Sequence, residues 1–347
     1  MKIKYLLKGL VKNIPGIEKL YNFHAATGGT NNARYCYSVW LRHLILANQN
    51  GFKGVPGRVV ELGPGDSLGI SLSALLSGAD KCMALDIVKY AKVESTLEIF
   101  DELAILFRNR TPVPKDESFA NIQPVLNDYS FPAHILTDEI LKESLDPKRL
   151  DRIRQSIRQS AADNPVRTEE CMLCYHVPWT KDDVIEPGSI DMVISQAVLQ
   201  HIDGVENTYS SMNKWLKNGG FMSHCIDLKS MGTSDCWYGH WTYNSLEWQI
   251  VKGRKKYLIN RLPYSRHIEL TRENGFQINT ELQVKAEEAK REAIASEFSY
   301  LEEKDLSISN VFLQAKKISM LFYFQLATEL TELSVAFEME YMALQVA

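Results

Sequence analysis

The stretch Arg58-Val-Val-Glu-Leu-Gly-Pro-Gly-Asp-Ser-Leu-Gly69 constrains the fold more than any other part of the chain. Val59, Val60 and Leu62 make an apolar run suited to a strand buried on both faces, and such strands belong to parallel sheets covered by helices. The run enters a turn at Gly63 and Gly65, where the missing Cβ permits left-handed backbone angles and close approach of another group. Asp66 and Ser67 then offer caps for a following helix. Strand, glycine turn and helix in this order predict an α/β fold with a doubly wound parallel sheet, whose ligands bind at the carboxyl ends of the strands.

A second short apolar run, Lys81-Cys-Met-Ala-Leu-Asp86, ends in an acid about 20 residues beyond the glycines. In βαβ units an acid at that position can accept both hydroxyls of a ribose. The spacing accommodates NAD, FAD or S-adenosylmethionine, and the residues around the turn discriminate among them. Dinucleotide sites set a helix N-terminus against a pyrophosphate. Here Glu61 precedes the turn and Asp66 follows it. Two carboxylates would repel a pyrophosphate but suit a ligand carrying an amino group and a sulfonium, so S-adenosylmethionine is the expected cofactor.

At these residues the sequence resembles the class I S-adenosylmethionine-dependent methyltransferases, specifically the type 11 group. Val59-Val-Glu-Leu-Gly-Pro-Gly-Asp66 is similar to the first motif of that family, and Ala84-Leu-Asp86 to its acidic second motif. The segment from Gly188 to Ile202 is similar to the fourth-strand block. Trp215-Leu-Lys-Asn-Gly-Gly-Phe221 is similar to the turn before the fifth strand, with Asn218 in place of the usual proline. The resemblance covers residues 55–228 and implies a Rossmann-like seven-stranded methyltransferase sheet. It also implies a cofactor site built from Glu61, Gly63, Gly65 and Asp86, with His176 near the end of the third strand and Ser195 and Gln196 ending the fourth.

A chain of 347 residues, 45% of them hydrophobic, exceeds what a minimal domain of this kind needs. Three parts are expected: an N-terminal helical segment (1–50), a methyltransferase domain (51–317) with a helical cap inserted at about 100–170, and a C-terminal helical tail (318–347). The net charge of -4, with no basic stretch interleaved with aromatics, argues against a nucleic-acid partner. Six scattered cysteines without a paired framework suit a reducing, cytoplasmic setting. Cys171 and Cys174 have no second pair, and a strand would direct them to opposite faces, so they read as buried thiols and no metal is assigned.

Near the N-terminus Ile3, Leu6, Leu7, Leu10, Val11 and Ile14 share one helical face, while Lys4, Lys8 and Lys12 line another. Two readings stand: peripheral contact with the inner face of a membrane, or packing against the chain's own domain or a second copy in a homo-oligomer. In a following helix, capped by Thr30 or Asn31, the resemblance implies a cover for the cofactor. Arg34 and Tyr37 are there expected to meet the cofactor carboxylate or the substrate. Methyl transfer to a hydroxyl needs in-line positioning and a base. His240 is the first choice and His267 the second, with a lesser chemical role for His201. The aromatics around His240, namely Trp237, Tyr238 and Trp241, suit a sugar or another ring. The expected reaction is methylation of a hydroxyl on a small or lipid-linked acceptor, such as a glycan precursor. N- or C-methylation and non-catalytic cofactor binding remain alternatives.

Overall fold

The computed structural model describes residues 2–12, 29–116, 119, 121–160, 171–180, 182–255 and 257–319. A seven-stranded sheet runs in the order β3-β2-β1-β4-β5-β7-β6. The strands are β1 (Arg58–Leu62), β2 (Lys81–Leu85), β3 (Leu173–His176), β4 (Ile190–Gln196), β5 (Leu216–Asp227), β6 (Phe276–Lys285) and β7 (Ile308–Lys317). The first five pair in parallel, while β7 is antiparallel to both β5 and β6. Chain order reverses between β1 and β4, which makes the switch point where open α/β sheets bind ligands.

The period-2 alternation of each strand feeds two cores. Val59, Cys82, Ala84 and Ile194 point to one side, where α2 (Ala33–Gln49), α3 (Gly69–Leu76) and α4 (Val93–Arg108) cover the sheet. Val60, Met83, Leu85 and Val193 point to the other, against α7 (Val205–Trp215) and α9 (Tyr264–Glu273). Helix α2 is buried almost all round because it lies under the segment that follows α4. Its Arg42 guanidinium, though buried, donates to the carbonyls of Pro114, Ile122 and Pro124, which pin that segment to the helix.

The helices of the insertion, α5 (Asp138–Ser144) and α6 (Pro147–Gln159), lie in the same layer as α3 and α4, since Leu141, Leu150, Ile153 and Ile157 enter the first core. They form a lateral layer, and residues 161–170 lie outside the described part. The tail beyond Ser319 lies outside it too. Cys171 and Cys174 fall in one core, the Cys171 thiol donating to the Leu173 carbonyl at 3.0 Å, because Cys171 precedes β3 and escapes strand alternation. Among the described residues no helix is long and apolar enough to cross a membrane.

Candidate functional site

The strand ends at the switch point enclose a cavity of about 390 Å³. The glycine turn forms one wall, with Gly63 at φ +64° and Gly65 at φ +73°. Glycine is required at 63 for space as well as angle, since an added Cβ would sit 2.6 Å from Val198 Cγ2. Thr30 fastens this turn: its hydroxyl accepts from Asp66 N at 2.9 Å and its carbonyl accepts from the Ser67 hydroxyl. Helix α2 therefore starts at Asn32, whose side chain accepts from Tyr35 N, and not at Thr30 or Asn31.

Two carboxylates enter the cavity. Glu61, 2% exposed, accepts from Ser71 N at 2.9 Å and from the Ser71 hydroxyl at 2.5 Å. Burial pushes its pKa up to about 7, against the pull of those donors. Asp86, at the end of β2, is raised by burial and held by Ile87 N at 2.7 Å, Val88 N at 3.3 Å and Gly65 N at 3.4 Å. Among the described residues, no lysine or arginine lines the cavity. Gln196 is clamped from two sides, its Oε1 3.1 Å from His43 Nε2 and its Nε2 donating to the Gln123 carbonyl. Ala197 and Met231, both lining the cavity, hold positive φ values of 56° and 44° without being glycine. Such angles cost about 1 to 3 kcal/mol each and concentrate at functional sites.

The parallel run β3-β2-β1-β4-β5, closed by the antiparallel β7 and then β6, decides the architecture. The chain has a doubly wound, Rossmann-like α/β fold with a seven-stranded sheet. Solved structures of S-adenosylmethionine-dependent methyltransferases are similar to it at low identity. A methyltransferase from Mesorhizobium loti is 11% identical, with 80% of this chain and 98% of that one covered and a TM-score of 0.39. One from Methanosarcina mazei is 10% identical, with 78% and 97% covered and a TM-score of 0.40. Phosphoethanolamine N-methyltransferase 2 of Haemonchus contortus is 16% identical, with 87% of this chain and 59% of that one covered and a TM-score of 0.40. No family model and no curated protein matches the sequence.

Within the Rossmann-like fold, Glu61, Gly63, Gly65, Asp86 and Gln196 converge on the cavity. Ser195, one residue before Gln196, faces the sheet interior and bonds His224 Nδ1 at 2.7 Å. His176 is buried at the end of β3 and is not among the lining residues, whereas Trp179, three residues on, is. Helix α2 contributes Tyr35. Its neighbours turn elsewhere: Arg34 pairs with Asp116 at 2.8 Å, and the buried Tyr37 hydroxyl donates to the Thr111 carbonyl at 2.5 Å. A helix turns its residues by about 100° per position, so these three cannot share one direction.

The aromatic region does not reach the cavity. Trp241 is fully buried in a satellite core with Ala289, Phe298, Leu301 and Leu306, and Trp237 and Tyr238 pack on it. His240 lies in the same place, 1% exposed, its ring 4.4 Å from that of Trp241, and burial pushes its pKa down to about 3. His267, on α9, is buried against the Tyr209 hydroxyl at 3.1 Å with its pKa pushed down to about 4. Among the described residues, His201 is the one histidine lining the cavity. It is half-buried and its Nδ1 has no hydrogen-bond partner among the described residues. Burial lowers its pKa, against smaller opposing effects of the Tyr257 backbone and Asp227. Tyr257, Met231, Tyr90 and Trp179 complete a wall that motif spacing alone does not mark, because loops far apart in sequence supply it. Among the described residues no three His, Cys, Asp or Glu side chains converge as a metal site.

Proposed function

We propose that this chain is an S-adenosylmethionine-dependent methyltransferase, with the switch-point cavity as its donor site and a hydroxyl on a small or lipid-linked molecule as its acceptor. The observation that carries the reading is the cavity's charge: two acidic side chains, Glu61 and Asp86, and, among the described residues, no lysine or arginine. A dinucleotide pyrophosphate would meet only repulsion from those side chains, whereas an ammonium and a sulfonium are drawn to them. Gly63 leaves the space against Val198 that a Cβ would fill.

The residues divide the work. Asp86 has lone pairs for ribose hydroxyls, and Trp179, Ile87, Val88 and Tyr90 supply the apolar and aromatic surface that suits a purine. Gln196 is held rigid by His43 and Gln123, so its contacts require little ordering on binding. When bound, the cofactor supplies an electrophilic methyl group for in-line displacement. His201, kept neutral near pH 7 by its lowered pKa, takes the proton of the acceptor hydroxyl. This role moves from His240 and His267 to the histidine that borders the cavity.

Titration calorimetry with S-adenosylmethionine, S-adenosylhomocysteine and NAD tests the donor site. The first two bind and NAD does not; binding of NAD alone would sink the reading. Transfer of a labelled methyl to hydroxyl but not amine acceptors tests the second half.

A further inference from the structure

Helix α1 (Lys2–Lys12) docks on α8 (Ser245–Lys252) by its less apolar side. Tyr5 is buried in a small core with Tyr243, Trp248, Val251, Leu258 and Ile259, and a Cβ at Gly9 would collide with the Ile250 carbonyl. Lys2 pairs with Glu247 at 3.2 Å, and Tyr5 donates to Asp235 at 2.6 Å. Leu6 packs on that same core, and the rest of the apolar face is turned away from it: Ile3, Leu7 and Leu10 are 71%, 56% and 52% exposed, and Val11 43%. On a helical projection they fall within about 100° of arc, opposite Tyr5 and Gly9. Lys4 and Lys8 are exposed along one margin of that arc, Lys4 also pairing with Asp235 at 3.4 Å, and α1 contains no acidic residue.

We propose that α1 is a docking helix for an anionic lipid surface, with its leucine face inserted at the headgroup boundary and its lysines against the lipid charge. Apolar burial flanked by lysines is how interfacial helices bind, and the absence of acids on α1 makes its charge complementary to anionic lipid. The docking also locates the cavity. Met231 lines the cavity and packs on the core that holds Tyr5, while Tyr257, just beyond α8, lines the cavity and is 40% exposed. A lipid-linked acceptor thus reaches the donor site from the surface on which α1 rests. This last step rests on the proposed methyl transfer, whereas the lipid contact does not.

Flotation with vesicles of phosphatidylcholine alone, or with added phosphatidylglycerol, tests the proposal on the full chain. The wild type floats with anionic vesicles and far less with neutral ones. Leu7→Glu with Leu10→Glu lowers the partition coefficient at least tenfold, and Lys8→Gln lowers it about fivefold. Both variants keep the wild-type affinity for S-adenosylmethionine. No flotation of a wild type that binds cofactor overturns the proposal, as does equal flotation of wild type and variants. A dimer in sedimentation that the Leu7→Glu, Leu10→Glu variant splits, without vesicle binding, assigns the face to a second copy and overturns it too. Flotation without cofactor binding would instead count against the proposed function alone.

Discussion

Two regions carry the kinds of residue from which active sites are built, and the fold treats them in opposite ways. At the switch point Glu61, Asp86, Gln196 and His201 border open volume. In the segment from Trp237 to Tyr243, His240 and Trp241 are buried among apolar side chains and do not line that cavity. The Trp241 indole donates inward to the Arg261 carbonyl at 2.8 Å, and the Arg261 guanidinium lies over the Phe298 ring at 4.7 Å. The aromatics here supply burial and ring contacts, which stabilise the molecule. Chemical type makes a residue eligible for function, but access to the ligand decides whether it can act.

Substitutions in the two regions should separate along that line. The largest effect is expected for His201→Ala: turnover falls about 10²- to 10⁴-fold with cofactor affinity kept, measured by steady-state kinetics beside calorimetry. His240→Ala should change stability but not turnover per folded molecule. A catalytic loss specific to His240→Ala would reverse the assignment. Trp241→Ala should cost about 3 to 5 kcal/mol of stability, read from denaturant unfolding, while the folded fraction still binds cofactor. Asp86→Ala is expected to weaken cofactor binding by about 1 to 3 kcal/mol, with little change in unfolding.

The smallest effect is a pH slope. His43 and His267 have pKa values pushed down to about 4, and His224 and His240 to about 3, in each case chiefly by burial. An unfolded histidine titrates near 6.5, so above that pH neither state carries the charge. Below it the unfolded chain takes up protons that the folded chain refuses, and stability falls as pH falls toward 4. Glu61 works in the other direction: with a folded pKa of about 7 it holds a proton that the unfolded carboxylate has lost between pH 4.5 and 7. The histidines outnumber Glu61, so their effect sets the sign and stability falls as pH falls from 6 to 5. His240→Phe should flatten that slope by about 1.4 kcal/mol per pH unit, measured by unfolding across that range. An unchanged slope would mean that His240 is solvated, as a cavity residue would be.

How far the sequence was legible follows the same division. Local patterns were strong where one element carries the whole signal. The β1 run, its glycines and Asp86 foretold adjacent strands and a turn, and the structure pairs Leu62 with Leu85 in register and closes Gly63 N onto the Leu85 carbonyl at 2.8 Å. The Arg34 and Tyr37 expectations missed by one or two positions because the direction a helix faces depends on what packs on it. Here the segment pinned by Arg42 takes Tyr37, Asp116 takes Arg34, and Tyr35 is left toward the cavity. In α1 the helical period was legible, yet which side docks was decided by Gly9 and Tyr5.

By itself, then, the sequence determined the strand, turn and helix grammar of the sheet, the acids around the glycine turn and the amphipathic character of α1. These are set by backbone sterics and hydrophobic period, which act within a few residues. Tertiary structure alone decided that His201 borders the cavity while His240 and His267 are buried, and that Leu7 and Leu10 of α1 face outward. Burial and access are sums over neighbours distant in the chain, such as Val198 against Gly63 or Ile250 beneath Gly9, and no local pattern contains them.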